Sequence, residues 1–256
     1  MAETVVGELI AQSATVLVRG EASCRALHAW PGGAFGELLV HDAQTGAPVS
    51  GPPPGAKGHK RRPAGSTVVL LRLRAFEAIW LAFEVKPPRL HIVVLPPPTE
   101  SVAPSSTFAA AEEAAAEAAA LAPPLDLGTC WAALCAEEPH LAQLYATYVA
   151  LRKAGWYIRD GLKFGFDLAL YDATAPQRQH APLGALVLTD GDEHERSWLW
   201  LQRHARVCHS VGKGLLLCTV EPPQGEPPSD TIPPKLHVRT MRVDGWDPNR
   251  EHAKLS

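Results

Sequence analysis

Two proline-rich breaks limit what this chain can fold into. Proline removes a backbone donor and fixes φ, so neither a ladder nor a helix continues through a run of prolines. The first break is GAPVSGPPPGAKGHKRRPAGS, Gly46 to Ser66, and the second runs from Pro96 to Pro124. At 256 residues the chain has room for one large domain or two small ones. The breaks favour two: an N-terminal part over 1–95 with a Pro-rich basic loop at 46–66, a linker over 96–124, and a C-terminal part over 125–256. The linker holds AAAEEAAAEAAALA, which favours helix but has no apolar stripe beyond alanine.

The first break carries Lys57, His59, Lys60, Arg61 and Arg62. A solvated loop, a targeting signal and a phosphate contact all fit such a cluster. The formal net charge of −3 excludes nucleic-acid binding by bulk charge, so any positive surface must be local. Five cysteines form no C-x-x-C pair, which points to reduced thiols acting as small hydrophobes. Cys130 and Cys135 with His140 make a weak zinc pattern. The start, MAETVVGELIAQ, lacks the layout of a signal peptide, and no run of about 18 apolar residues occurs, so no membrane partner is expected.

In the N-terminal part ATVLVRG reads as a strand, followed by the Gly-rich turn WPGGAFGELLV. In STVVLLRLRAFEAIWLAF the apolar pattern changes from alternation to helical spacing near Ala75, predicting a small α+β unit. The C-terminal part alternates helix and strand, which favours α/β. PHLAQLYATYVALRKAG predicts a helix with Leu141, Leu144, Tyr145, Tyr148 and Val149 on one face and Gly155 as its cap. WYIR is a short strand. FDLALY alternates, with Phe166, Leu168 and Leu170 on one side and Asp167, Ala169 and Tyr171 on the other. ALVLT is a strand, SWLWLQRHARVCHSV a helix, LLLCTV a buried strand and HVRTMRV a last strand.

Three residues in this half bear on chemistry. Tyr171 ends a strand, His180 follows across a turn holding Pro176, and Lys213 lies between a helix end and LLLCTV. If the strands pair as neighbours, all three come to one end of the sheet. An imidazole serves as general acid near neutral pH, and an ammonium stabilises charge developing on a phosphate. A phenol is the awkward base of the trio, because phenolate is scarce at pH 7 without a nearby cation such as Lys213. Taken singly, each residue also fits an ordinary role: an exposed ring, a structural histidine, a lysine at a helix end.

The segments YVALRKAGWYIRDGLKFGFDLALY, QRQHA and RVCHSVGKGLLLC strongly resemble the catalytic domain of the tRNA-splicing endonucleases, over roughly Tyr145 to Val220. The resemblance implies an α/β catalytic domain with a restriction-endonuclease-like mixed sheet and a smaller α+β N-terminal domain. It places the family's catalytic trio on Tyr171, His180 and Lys213. It implies an RNA-binding pair, Arg206 and Trp246, that holds a flipped-out nucleotide at the opposite subunit's site; stacking of this kind contributes about 1–3 kcal/mol per base. Trp246 also fits a packing role. The region from Cys130 to Trp156 and the tail VRTMRVDGWDPNREHAKLS are most similar to the larger eukaryotic catalytic subunit, assigned to the 5′ splice site. The 3′-site subunit is the close competitor, and a non-catalytic scaffold is the further alternative. The implied partners are precursor tRNA and other subunits in a heterotetramer, in the nucleus. No cofactor and no metal are implied, and a metal-dependent nuclease would want clustered carboxylates, whereas Asp167 stands alone in its motif.

Overall fold

The strand-to-helix switch expected near Ala75 falls between Arg74 and Ala75, and it organises the first of two units. A computed structural model describes residues 5–10, 13–29, 35–49, 67–85, 90–95, 107–172, 180–189, 197–222 and 231–243. Lys57, His59, Lys60, Arg61, Arg62, Pro176 and Trp246 lie outside the described residues. Contacts divide the chain into Met1–Leu141 and Ala142–Ser256, alongside the compositional breaks at 95/96 and 124/125.

The first unit contains β1 (Val5–Ile10), β2 (Thr15–Val18), α1 (Glu21–His28), β3 (Glu37–Asp42), β4 (Thr67–Arg74), α2 (Ala75–Ile79), β5 (Leu90–Val93), α3 (Phe108–Leu121) and α4 (Leu127–Glu137). Its sheet has the order β3-β4-β2-β1-β5, antiparallel except for the parallel β1–β5 pair. Apolar side chains that alternate along β2 and β4, such as Val16, Val18, Leu71 and Leu73, are fully buried. Glu77 opens α2 and is itself buried; its carboxylate accepts hydrogen bonds from the Arg74 and Gly36 N–H groups at 3.0 and 3.1 Å. The alanine-rich α3 has no apolar stripe, and charge and its first turn dock it. Arg19 pairs with both Glu8 and Glu112, and the Phe108 and Ala109 N–H groups donate to the carbonyls of Gln44 and Ala43. α4 packs on α2 within this unit.

The second unit contains α5 (Leu141–Lys153), β6 (Trp156–Asp160), β7 (Leu168–Asp172), β8 (Leu183–Leu188), α6 (Trp198–Ser210), β9 (Gly214–Glu221) and β10 (His237–Val243). The sheet order is β10-β9-β8-β7-β6. All neighbours are antiparallel except β8 and β9, which are parallel and joined through α6. The protein is therefore mixed α/β with two mixed sheets. α5 buries Leu141, Leu144, Tyr145, Tyr148 and Leu151, while Val149 is half-buried. Gly155, at φ 89°, closes its end by donating to the Arg152 carbonyl at 3.0 Å.

One expectation from the alternation fails. FDLALY places Phe166 beside Leu168, but the regular strand starts at Leu168 and Phe166 turns to the opposite face. There its ring covers Gly184, which pairs with Ala169, and joins Leu186, Cys208, Leu215 and Leu217 in a buried cluster. The neighbouring Asp167 explains the turn. Its carboxylate accepts the Val187 N–H at 2.7 Å, so a side chain rather than a main-chain carbonyl continues the β7–β8 ladder.

Glycine at 184 is required by this packing: a Cβ there would stand 2.4 Å from Phe166 Cδ2. Gly184→Ala is expected to destabilise the protein by about 1–3 kcal/mol, the usual cost of overpacking. Urea denaturation of the single variant and of Gly184→Ala/Phe166→Leu checks this. The double variant should cost less than the sum of the singles, because the smaller side chain vacates the space.

Candidate active site

The β8 strand carries the site's geometry, because both of its neighbours are pinned to it near Pro182. On one side Leu170 pairs with Leu183, antiparallel; on the other Leu183 pairs with Gly214, parallel. One step further along each ladder, Tyr171 and Lys213 flank Pro182. Strand spacing puts their Cα atoms roughly 10 Å apart. By alternation both side chains rise on the sheet face that α6 covers further along. His180 is exposed, two residues before Pro182, at the entry to β8.

Lys213 is placed by the end of α6. Gly212 adopts φ 66°, its N–H donates to the His209 carbonyl at 3.1 Å, and the Lys213 N–H donates to the Cys208 carbonyl at 2.8 Å. This double closure is a Schellman motif, so Lys213 occupies a defined position just past the helix. The Gly214 N–H then donates to the Pro182 carbonyl at 2.8 Å and starts β9. The ammonium itself donates to the Ala181 carbonyl at 2.7 Å, one residue from His180. Lys213 and the histidine segment are thus joined through main-chain atoms.

A cation that the sequence reading did not name, Arg159, lies against Tyr171. Arg159 on β6 pairs with Ala169, two residues from Tyr171 and on the same face, and its guanidinium carbon sits 5.7 Å from the Tyr171 ring centre. Lys213 instead faces Phe164, with Nζ 5.1 Å from that ring's centre. Phe164 belongs to a one-turn 3₁₀ helix, Leu162–Phe164, bracketed by glycines. A Cβ at Gly161 would stand 2.8 Å from the Phe166 carbonyl oxygen, and Gly165 has φ 77°. GLKFG is thus a turn that needs both glycines. Sequence reading missed Arg159 and Phe164; sheet parity marks the first, and the bracketing glycines mark the second.

Arg206 is exposed on α6, seven residues before Lys213. Burial pushes the thiols of Cys24, Cys130 and Cys218 up to about 12, which suits packing residues and disfavours thiolate ligands. Among the described residues, no three His, Cys, Asp or Glu side chains gather as metal ligands, and no helix is long and apolar enough to cross a membrane. The site therefore offers an exposed imidazole, a phenol under a guanidinium and a fixed ammonium at one sheet end. These are the groups for moving protons and stabilising charge at a phosphate.

Residues 141–226 match the family model of the tRNA intron endonuclease catalytic C-terminal domain. That segment belongs to the tRNA intron endonuclease family. Among similar proteins, the mouse (Mus musculus) tRNA-splicing endonuclease subunit Sen2 is 29% identical over 140 residues, covering 51% of this chain and 30% of the mouse protein. The subunit SEN2 of Eremothecium gossypii is 38% identical over 80 residues, covering 31% of this chain and 22% of that protein. A tRNA-splicing endonuclease of Sulfolobus acidocaldarius is 38% identical over 82 residues, covering 32% of this chain and 44% of that protein. The chain thus spans less than half the length of each of these relatives. The matched segment contains α5 through β9, and with them Tyr171, His180, Lys213, Arg159 and Phe164.

The Schellman closure gives a direct check on how this domain holds Lys213. A Cβ at Gly212 meets nothing within 4 Å, so Gly212→Ala is a purely backbone perturbation. It should destabilise by about 1–2 kcal/mol, the usual cost of left-handed geometry for a residue with a Cβ. Gly212→Asn should cost less, because asparagine tolerates that region. Thermal unfolding of the two variants measures the difference.

Proposed function

We propose that the protein is the catalytic subunit of a tRNA-splicing endonuclease. In this reading it cuts precursor tRNA at an intron junction and leaves a 2′,3′-cyclic phosphate and a 5′-hydroxyl. The observation that supports the reading is the register at Pro182: inside the family-matched segment it sets Tyr171 and Lys213 on either side of Pro182, two residues after His180. Tyr171 takes the proton of the 2′-hydroxyl, His180 protonates the departing 5′-oxygen, and Lys213 stabilises the charge that develops on the phosphate. The RNA supplies its own nucleophile, so the reaction is that of a lyase and calls on no metal or cofactor.

Similarity to proteins named as Sen2 subunits supports a multi-subunit enzyme acting on precursor tRNA. We extend this to a nuclear heterotetramer in which this chain cuts the 5′ splice site, on a mixed sheet of restriction-endonuclease-like type behind a smaller N-terminal domain. Arg206 and Trp246 hold a nucleotide at the opposite catalytic site, and the splayed, single-stranded bases at intron junctions suit such stacking.

The test uses the full chain purified with its associated subunits and an end-labelled precursor tRNA. Cleavage should persist in EDTA and leave cyclic-phosphate ends that resist phosphatase. His180→Ala should lower cutting at one junction by 10²–10⁴-fold, the usual worth of a general acid, and spare the other. Trp246→Ala should slow the junction that His180→Ala spares. Undiminished cutting at both junctions by His180→Ala, or loss of activity in EDTA, overturns the mechanism.

A further inference from the structure

A lysine is a compact charge on a flexible four-carbon stem, and it stabilises a transition state only if it waits in the right place. Among the described residues, the Lys213 ammonium meets two groups. Its Nζ donates to the Ala181 carbonyl at 2.7 Å, and it sits 5.1 Å from the centre of the Phe164 ring. The two contacts come from different elements. The carbonyl belongs to the entry of β8; the ring belongs to the glycine-bracketed turn between β6 and β7. Phe164 is 37% exposed, which is unusual for a phenylalanine used only for packing. The turn that holds it is rigidly specified by the close approach at Gly161 and the left-handed Gly165.

We propose that Phe164 is the positioning residue for Lys213. Resting on the lyase reading above, the ring face holds the ammonium against the Ala181 carbonyl and so presents a fixed charge beside His180. The ring's negative face attracts the cation without accepting its protons, so donors of the ammonium remain for a phosphate oxygen. A carboxylate in the same place would neutralise the charge the reaction needs. An aromatic ring fixes it and leaves it cationic.

The experiment is single-turnover cleavage by the full chain with its associated subunits, at the junction that depends on His180. Phe164 is replaced by phenylalanines carrying one, two or three ring fluorines, which weaken the ring's negative face at almost constant size. The rate should fall stepwise with each fluorine while precursor affinity stays unchanged. Phe164→Leu should lower the rate by about 3- to 30-fold, and Phe164→Tyr should retain it. In a Lys213→Ala background, changes at Phe164 should have no further effect. A rate indifferent to fluorination, or a Phe164→Leu loss that persists without Lys213, overturns the proposal and leaves the lyase reading standing. Full activity of Lys213→Ala overturns both.

Discussion

The parallel pairing of β8 with β9 is the constraint on which the second unit depends. It is the one parallel pair in that sheet, and a helix must cross over to make it. A slip of one residue would exchange the two faces of β9, taking Lys213 off the face it shares with Tyr171 and pulling Leu215 and Leu217 from their cluster with Cys208 and Phe166. Several features oppose the slip. The Gly214 N–H is committed to the Pro182 carbonyl, and Leu183 leaves no room for a side chain at 214, where a Cβ would stand 2.6 Å from its Cδ2. On the other face of the sheet, α6 seals Leu186, Leu215 and Leu217 beneath Cys208 and Phe166. Both faces of β9 are buried, so what opposes the slip is the loss of fit between these side chains and their neighbours, which a close-packed core does not absorb.

Much of this arrangement was legible in the sequence, because its signals are periodic. The change of period at Ala75, the helix ending at Gly155, and the succession of β8, α6 and β9 all follow from apolar spacing. The approach of Tyr171 and Lys213 to one sheet end was legible only as a condition on strand pairing, and the register sets the two on either side of Pro182. What escaped was set by contacts across the sheet. Phe166 leaves its alternating row because a carboxylate, Asp167, replaces a ladder carbonyl and a glycine opposite makes room; no periodicity encodes that. Arg159 reaches Tyr171 through cross-strand parity, which is not visible until the partner strand is known; Phe164 reaches Lys213 from a turn whose bracketing glycines mark the turn but not what it touches. α1 and β1 escaped for a simpler reason: the first is only two turns long, and the second has a glycine and a glutamate in mid-strand.

The first unit shows a different balance of forces. Its core is conventional, but α3 reaches the sheet through Arg19, Glu8 and Glu112 rather than through an apolar stripe. Alanine contributes helix propensity and little burial, so such a helix needs its capping Thr107 and its charges to stay in place. Docking of this kind weakens with salt to the extent that the pair is open to solvent, and these side chains are mostly covered.

Apart from the Phe164 ring, the hydrogen-bond anchors of Lys213 and its flanking glycines are peptide groups: two carbonyls of α6, the Pro182 carbonyl and the Ala181 carbonyl. Peptide groups are the same at every position, whatever side chains the residues carry. Substitutions in the surrounding core can therefore raise or lower stability while leaving these four attachments intact. Robustness and geometry are set by separable parts of the molecule. A protein built this way can drift widely in its interior and keep the same atoms at the end of its sheet.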